Sequence, residues 1–109
     1  MLFRSLFTCD LIIERVDFKK TDNLKLVGRK ALAISISDIA ACGGVPQHAV
    51  VSLGISPNMA VKQVDVLAKG LFDLAKEFRI NIVGGDISKS TKLLIDVSML
   101  GIVDRKSVV

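Results

Sequence analysis

Apolar residues crowd the chain from Phe3 to Phe18, with Asp10, Glu14 and Asp17 set among them and no 3.6-residue period. Apolar runs this short, without helical spacing, predict one or two short strands, the first ending at Asp10. Lys19 to Asn23 is polar and turn-like, with Asp22 or Asn23 placed to cap a helix. From Leu24 to Cys42, Leu24, Val27, Ala31, Leu32, Ile36 and Ile39 recur near helical spacing. The small residues Ala31, Ala33, Ala40 and Ala41 on that segment predict close packing against a sheet. Gly43-Gly44 followed by Val45-Pro46 stops the helix, with Gly just past the end and Pro beyond it.

His48 to Ile55 predicts a second strand. Ser56-Pro57 then predicts a helix start, with Ser as N-cap and Pro at the first helical position. Val61, Val64, Leu67, Leu71, Leu74 or Ala75, and Phe78 form one apolar stripe. Lys62, Asp65, Lys69, Asp73 and Lys76 lie opposite, with Asp65 and Lys69 spaced as an i,i+4 pair. Arg79 to Val83 predicts a short strand ending in Gly84-Gly85-Asp86, and Thr91 to Val103 a partly alternating one, followed by a polar tail from Asp104.

The order strand, helix, strand, helix, strand, strand predicts an α/β fold of the α+β type. It is a two-layer sandwich: a small mixed or antiparallel sheet with helices on one face. The other sheet face would be apolar and uncovered in a single copy, which predicts a homodimer through that face.

Composition narrows the functional classes. The 109 residues fit one domain, and a hydrophobic share of 50% with 24% charged excludes disorder. The net charge of +4 is spread from Arg4 to Lys106, with no basic run longer than two. Five Phe and no Trp or Tyr offer no stacking platform, so a nucleic-acid partner is not expected. No apolar run approaches the ~20 residues needed to cross a bilayer, and no membrane association is expected. Asp10 and Glu14 interrupt the apolar opening and no small-residue cleavage site follows, which argues against a signal peptide. Cys9 and Cys42 are too few for a disulfide framework or a four-ligand zinc site. Small buried thiols in a reducing cytoplasm are the expectation.

Three aspartates stand at junctions of apolar segments. Asp10 closes the first strand, Asp38 lies in an otherwise apolar helical run, and Asp86 follows Gly84-Gly85. A buried carboxylate is costly without a cation or several donors, and Mg²⁺ takes one or two such groups, completing its shell with water and phosphate. Gly84 and Gly85 let backbone approach a phosphate that Ser88, Lys89 and Ser90 could bond. Plain structural alternatives stand beside these: a turn at Gly-Gly-Asp, a strand-end cap at Asp10, and bonds from Asp38 to backbone or to the Ser35 and Ser37 hydroxyls. His48 has no second His or nearby Cys and reads as an ordinary strand residue. No P-loop, dinucleotide fingerprint or nucleophile elbow is present, so phosphate chemistry would need another scaffold.

The run Gly28-Arg29-Lys30-Ala31-Leu32-Ala33, with Ser37-Asp38-Ile39-Ala40-Ala41-Cys42-Gly43-Gly44-Val45-Pro46, resembles the long helix and turn of the thiamine-monophosphate kinases. Val51-Ser52-Leu53, Ser56-Pro57, Gly70-Leu71 and Leu74-Ala75 resemble that family's next strand and helix. Val83-Gly84-Gly85-Asp86 resembles its Gly-Gly-Asp metal loop, and Thr8-Cys9-Asp10 its strand-end Thr-Thr-Asp. The wider superfamily includes aminoimidazole-ribotide synthetase, selenophosphate synthetase and a hydrogenase-maturation protein. The resemblance runs from about Phe7 to Val103 and implies a single amino-terminal ATP-binding domain over 1–109. By that resemblance the domain would be incomplete, without the carboxy-terminal domain and an upstream Gly-Asp-Asp motif.

Carried over by position, the resemblance implies Asp10, Asp38 and Asp86 as magnesium ligands meeting at one place. Thr8, Gly85, Ser88 and Lys89 would lie near the ATP phosphates and Asp17 near the substrate, with no catalytic side chain. It implies Mg²⁺ and ATP as cofactor and co-substrate, thiamine monophosphate as acceptor, and a dimer with nucleotide near its interface. Catalysis would be by positioning and charge neutralisation. Cys9, Asp17 and Ile87 stand where the family usually has Thr, His and Thr. These departures leave two rivals: a non-catalytic dimerisation module, and a superfamily member with another acceptor.

Overall fold

The structure, a computed structural model, describes residues 3–104. The polar tail beyond them lies outside the described residues. The elements are β1 (Phe3–Ile13), α1 (Leu24–Ala41), β2 (Val45–Ile55), α2 (Val61–Glu77), β3 (Asn81–Lys89) and β4 (Leu94–Asp104). The four strands form one mixed sheet in the order β1-β4-β2-β3. β4 is antiparallel to both neighbours, and β2 and β3 are parallel, joined through α2. Strand alternation sends Ile95, Val97 and Met99 of central β4 into the helix layer, each no more than 1% exposed. There they meet Leu32 and Ile39 of α1 and Leu67 and Leu71 of α2 in one core.

Helix α1 forms as its capping residues dictate. Asn23 accepts from the Lys25 and Leu26 amides at the start. At the end Gly43 takes φ +75°, while its amide bonds Ala40 and that of Gly44 bonds Ile39. That is a Schellman closure, as the Gly-Gly pair predicts. The two helices press backbone to backbone: a side chain at Gly28 would run into the Leu67 carbonyl, and one at Gly70 into that of Lys25.

Several expectations need correction. β1 runs unbroken through Asp10 to Ile13, because Val97 of β4 pairs opposite Asp10 and keeps the ladder going. Ser56-Pro57 does not open α2. It closes a turn, with the Asn58 amide on Ser56 Oγ and the Met59 amide on the Ser56 carbonyl. The cap falls at Ala60, whose amide donates to Gln63 Oε1 at 2.8 Å. The stripe also loses its ends: Val61 at the start of α2 and Phe78, its C-cap, are exposed. Lys69 pairs with Asp73 and not with Asp65; Asp73 also meets Lys25 from α1. β3 extends through Gly84-Gly85-Asp86 instead of ending there, because β2 continues to pair beside it. β2 begins at Val45, with a register shift at Pro46, which has no amide to donate. Cys9 and Cys42 are both exposed, Cys9 on the open sheet face and Cys42 as the cap of α1.

Candidate functional site

β1 is an edge strand whose alternation turns Leu6, Thr8, Asp10 and Ile12 toward α1, and Phe7, Cys9 and Leu11 to the open face. On α1, Ser35 and Asp38 are three residues apart and so share one side of the helix. The two elements bring four polar side chains together. The Thr8 hydroxyl lies 3.1 Å from Asp10 Oδ2 and 3.1 Å from Asp38 Oδ2. Ser35 Oγ, fully buried, donates to Asp10 Oδ2 at 2.9 Å.

Proton supply in this cluster is short. A hydroxyl carries one proton, so Thr8 can donate to only one of the two carboxylates it touches. Ion pairs among the described residues reach neither aspartate: Lys25 and Lys69 meet Asp73, and Arg29 meets Glu77. All three hydroxyl contacts fall on Oδ2 oxygens, and among the described residues no donor addresses either Oδ1. Asp38 is exposed at the rim of the helix layer, so the burial suggested by its apolar neighbours in sequence does not hold. Ser35 serves Asp10 rather than Asp38.

Asp86 does not join this cluster. It lies on β3, the opposite edge of the sheet, three strand spacings or roughly 14 Å away. Its register partner is Ser52, which also pairs with Asp96 of β4, and that register places Asp86 on the open face. Its carboxylate accepts from the Ile87 amide next to it. The expected meeting of three aspartates within one chain is therefore corrected to a pair. Among the described residues no three His, Cys, Asp or Glu side chains are placed to hold one metal ion.

Gly85 has a packing reason of its own: a side chain there would collide with the Val51 carbonyl of β2. Ser88 and Lys89 are exposed further along β3, away from Thr8. Asp17 sits in the turn after β1, where Oδ2 holds the Ile13 amide at 2.8 Å and its carbonyl accepts from Lys30 Nζ at 2.6 Å.

Asp96 escaped notice in the sequence. It alternates with Ile95 and Val97 on the open face and accepts from the Cys9 thiol at 3.4 Å. A carboxylate inside an alternating strand was the available signal. The open face otherwise carries Phe7, Leu11, Val50 and Val83, all more than 40% exposed. His48 lies on it too, with a buried Nδ1 that has no hydrogen-bond partner among the described residues.

Residues 3–103 match the family described as AIR synthase related protein, N-terminal domain. The chain belongs to that family. Within it, the chain is similar to the thiamine-monophosphate kinase of Bacillus subtilis (strain 168), at 35% identity over 98 residues. That alignment covers 88% of this chain and 30% of the kinase. The Aquifex aeolicus (strain VF5) thiamine-monophosphate kinase is 34% identical over 100 residues, covering 92% of this chain and 33% of that protein. Among solved structures, AaThiL complexed with AMPPCP and TMP matches with a TM-score of 0.91 at 32% identity. It covers 94% of this chain and 33% of that one. The chain thus spans about a third of the length of these AIR synthase-related relatives.

Proposed function

We propose that this chain is the ATP- and Mg²⁺-binding amino-terminal domain of a cytoplasmic thiamine-monophosphate kinase, working in thiamine diphosphate biosynthesis. Such an enzyme passes the γ-phosphoryl of ATP to thiamine monophosphate. The observation that carries the proposal is the Asp10–Thr8–Asp38 cluster: two carboxylates meet at one hydroxyl and, among the described residues, have no cationic partner and no donor on either Oδ1. That is a donor set a hard cation fits, since Mg²⁺ takes one or two carboxylates and fills its shell with water and phosphate. Bound there, Mg²⁺ would neutralise phosphate charge. Asp10 and Asp38 would anchor it, and Thr8 would hold their carboxylates at a fixed spacing.

The open sheet face supports a homodimer. Three strands of 11 residues and one of 9 present roughly 670 Å² on one face, a little under the ~800 Å² that each partner gives to a stable interface. Asp86 and Ser88, on that face, would then serve the phosphates of a partner copy, while Gly85 and Lys89, opposite Val51 and Ile55 of β2, face the helix layer instead. Asp17 favours a second reading, a related kinase with a different acceptor. It offers an acceptor-only carboxylate, already engaged by the Ile13 amide, where a substrate-contacting His is usual.

The test is calorimetric titration of the purified chain with ATP at fixed Mg²⁺. Saturable binding is expected, weakened at least tenfold by Asp10→Asn. Asp86→Asn should weaken it only at protein concentrations where the dimer forms. Equal binding by wild type and Asp10→Asn would remove the assignment.

A further inference from the structure

Ser35 is a helical serine with no exposed surface, seated among Leu32, Ile36 and Ile39 on the buried side of α1. A hydroxyl in such a place needs a partner, and helical serines commonly use the carbonyl one turn back. Here the recorded partner is the Asp10 carboxylate, 25 residues away in sequence, at 2.9 Å. That choice has consequences for the proton count. With Ser35 donating to Asp10 Oδ2, the single Thr8 proton is free to go to Asp38 Oδ2. Each carboxylate then has one hydroxyl proton on its inward oxygen, and both Oδ1 oxygens stay uncovered.

Resting on the cation-binding reading of the Asp10–Asp38 pair, we propose that Ser35 is a positioning residue for the metal. It pins Asp10 Oδ2 toward the core, so that Oδ1 is the oxygen presented to the divalent ion. Ser35 does not touch the ion. Its hydrogen bond also fixes the rotation of the Asp10 carboxylate against the interior, which an exposed edge strand alone would leave free. Without it, Thr8 would have one proton for two carboxylates, and one of them would turn away.

The test uses Mn²⁺ as probe, with binding to the purified chain followed by the loss of free-ion EPR signal, with and without ATP. Ser35→Ala is expected to weaken Mn²⁺ about tenfold, the low end of what outer partners of metal ligands carry. Its metal-free melting temperature should stay within a few degrees of wild type. In an Asp10→Asn background the same substitution should change Mn²⁺ affinity less than twofold, because its route to the ion is gone. Should Ser35→Ala fail to fold, the isosteric pair Ser35→Thr and Ser35→Val gives the comparison, the threonine binding about tenfold tighter. Equal affinity in wild type and Ser35→Ala, or an undiminished loss in the Asp10→Asn background, would overturn the positioning role while leaving the cation site standing. Absence of Mn²⁺ binding to wild type, with Asp10→Asn indistinguishable from it, would overturn the site itself.

Discussion

The two edges of the sheet carry similar chemistry in sequence and different surroundings in space. On β1, Thr8 and Asp10 face α1, which answers with Ser35 and Asp38, and four polar groups converge. On β3, Asp86 and Ser88 are followed by Lys89, yet among the described residues no helix side chain answers them, and Asp86 accepts from its own neighbour's amide. What separates a candidate site from a row of exposed polar residues is the covering element. α1 lies over the β1 edge and supplies a second carboxylate. β3 instead turns Asp86 to the uncovered face, where a partner copy would have to supply the rest.

The largest expected effect breaks the comparison at β3. Gly85→Ala places a methyl group against the Val51 carbonyl, and backbone has nowhere to yield without opening the β2–β3 ladder. Overpacking of this kind costs about 3 kcal/mol, enough to lower the midpoint of a urea titration markedly. If Gly85 were present only to admit a phosphate, stability would be untouched and nucleotide binding alone would suffer. Thermal and urea melts of Gly85→Ala decide between the two roles.

The β1 edge should respond with opposite signs in stability and binding. Asp38→Asn removes one of two carboxylates that share the Thr8 hydroxyl and provides an amide donor in its place. Without metal, Asp38→Asn should therefore be more stable than wild type by about 0.5–1 kcal/mol, as expected when a group held against its own electrostatics is relaxed. With Mn²⁺ and ATP it should bind at least tenfold more weakly. Loss of stability on this substitution would mean that Asp38 is a structural partner of Thr8 and no more.

The same contrast explains what was legible in the sequence. Periodicity and the Gly43-Gly44 stop located α1 closely, because Asn23 and Gly43 act through local backbone geometry. The two-layer architecture followed from element order. The start of α2 was misplaced because Ser56 spends its hydroxyl on the Asn58 amide, a local turn that competes with capping. The family resemblance grouped Asp10 and Asp38 with Asp86; the meeting of the first two depends on β1 packing against α1, 28 residues later. The position of Asp86 was not legible at all. It hangs on strand order, and nothing in residues 79–89 announces that β3 lies at the far edge from β1.

The smallest effect sharpens the comparison at one side chain. Ile87 is 59% exposed on β3 and borders an apolar groove with Leu53, Val64 and Phe72. Its register partner is Leu53, which packs on the core side, so residue 87 faces the helix layer while Asp86 faces away. Ile87→Thr restores the residue usual in the family and keeps a β-branched side chain suited to a strand. An exposed substitution that preserves strand character should change stability by no more than about 0.5 kcal/mol. Because the new hydroxyl would sit on the opposite side of the strand from Asp86, ATP affinity at fixed Mg²⁺ should shift less than twofold. A tenfold gain in that titration would show that β3 grips phosphate from its helix-facing side, and the division between a built edge and a waiting one would have to be redrawn.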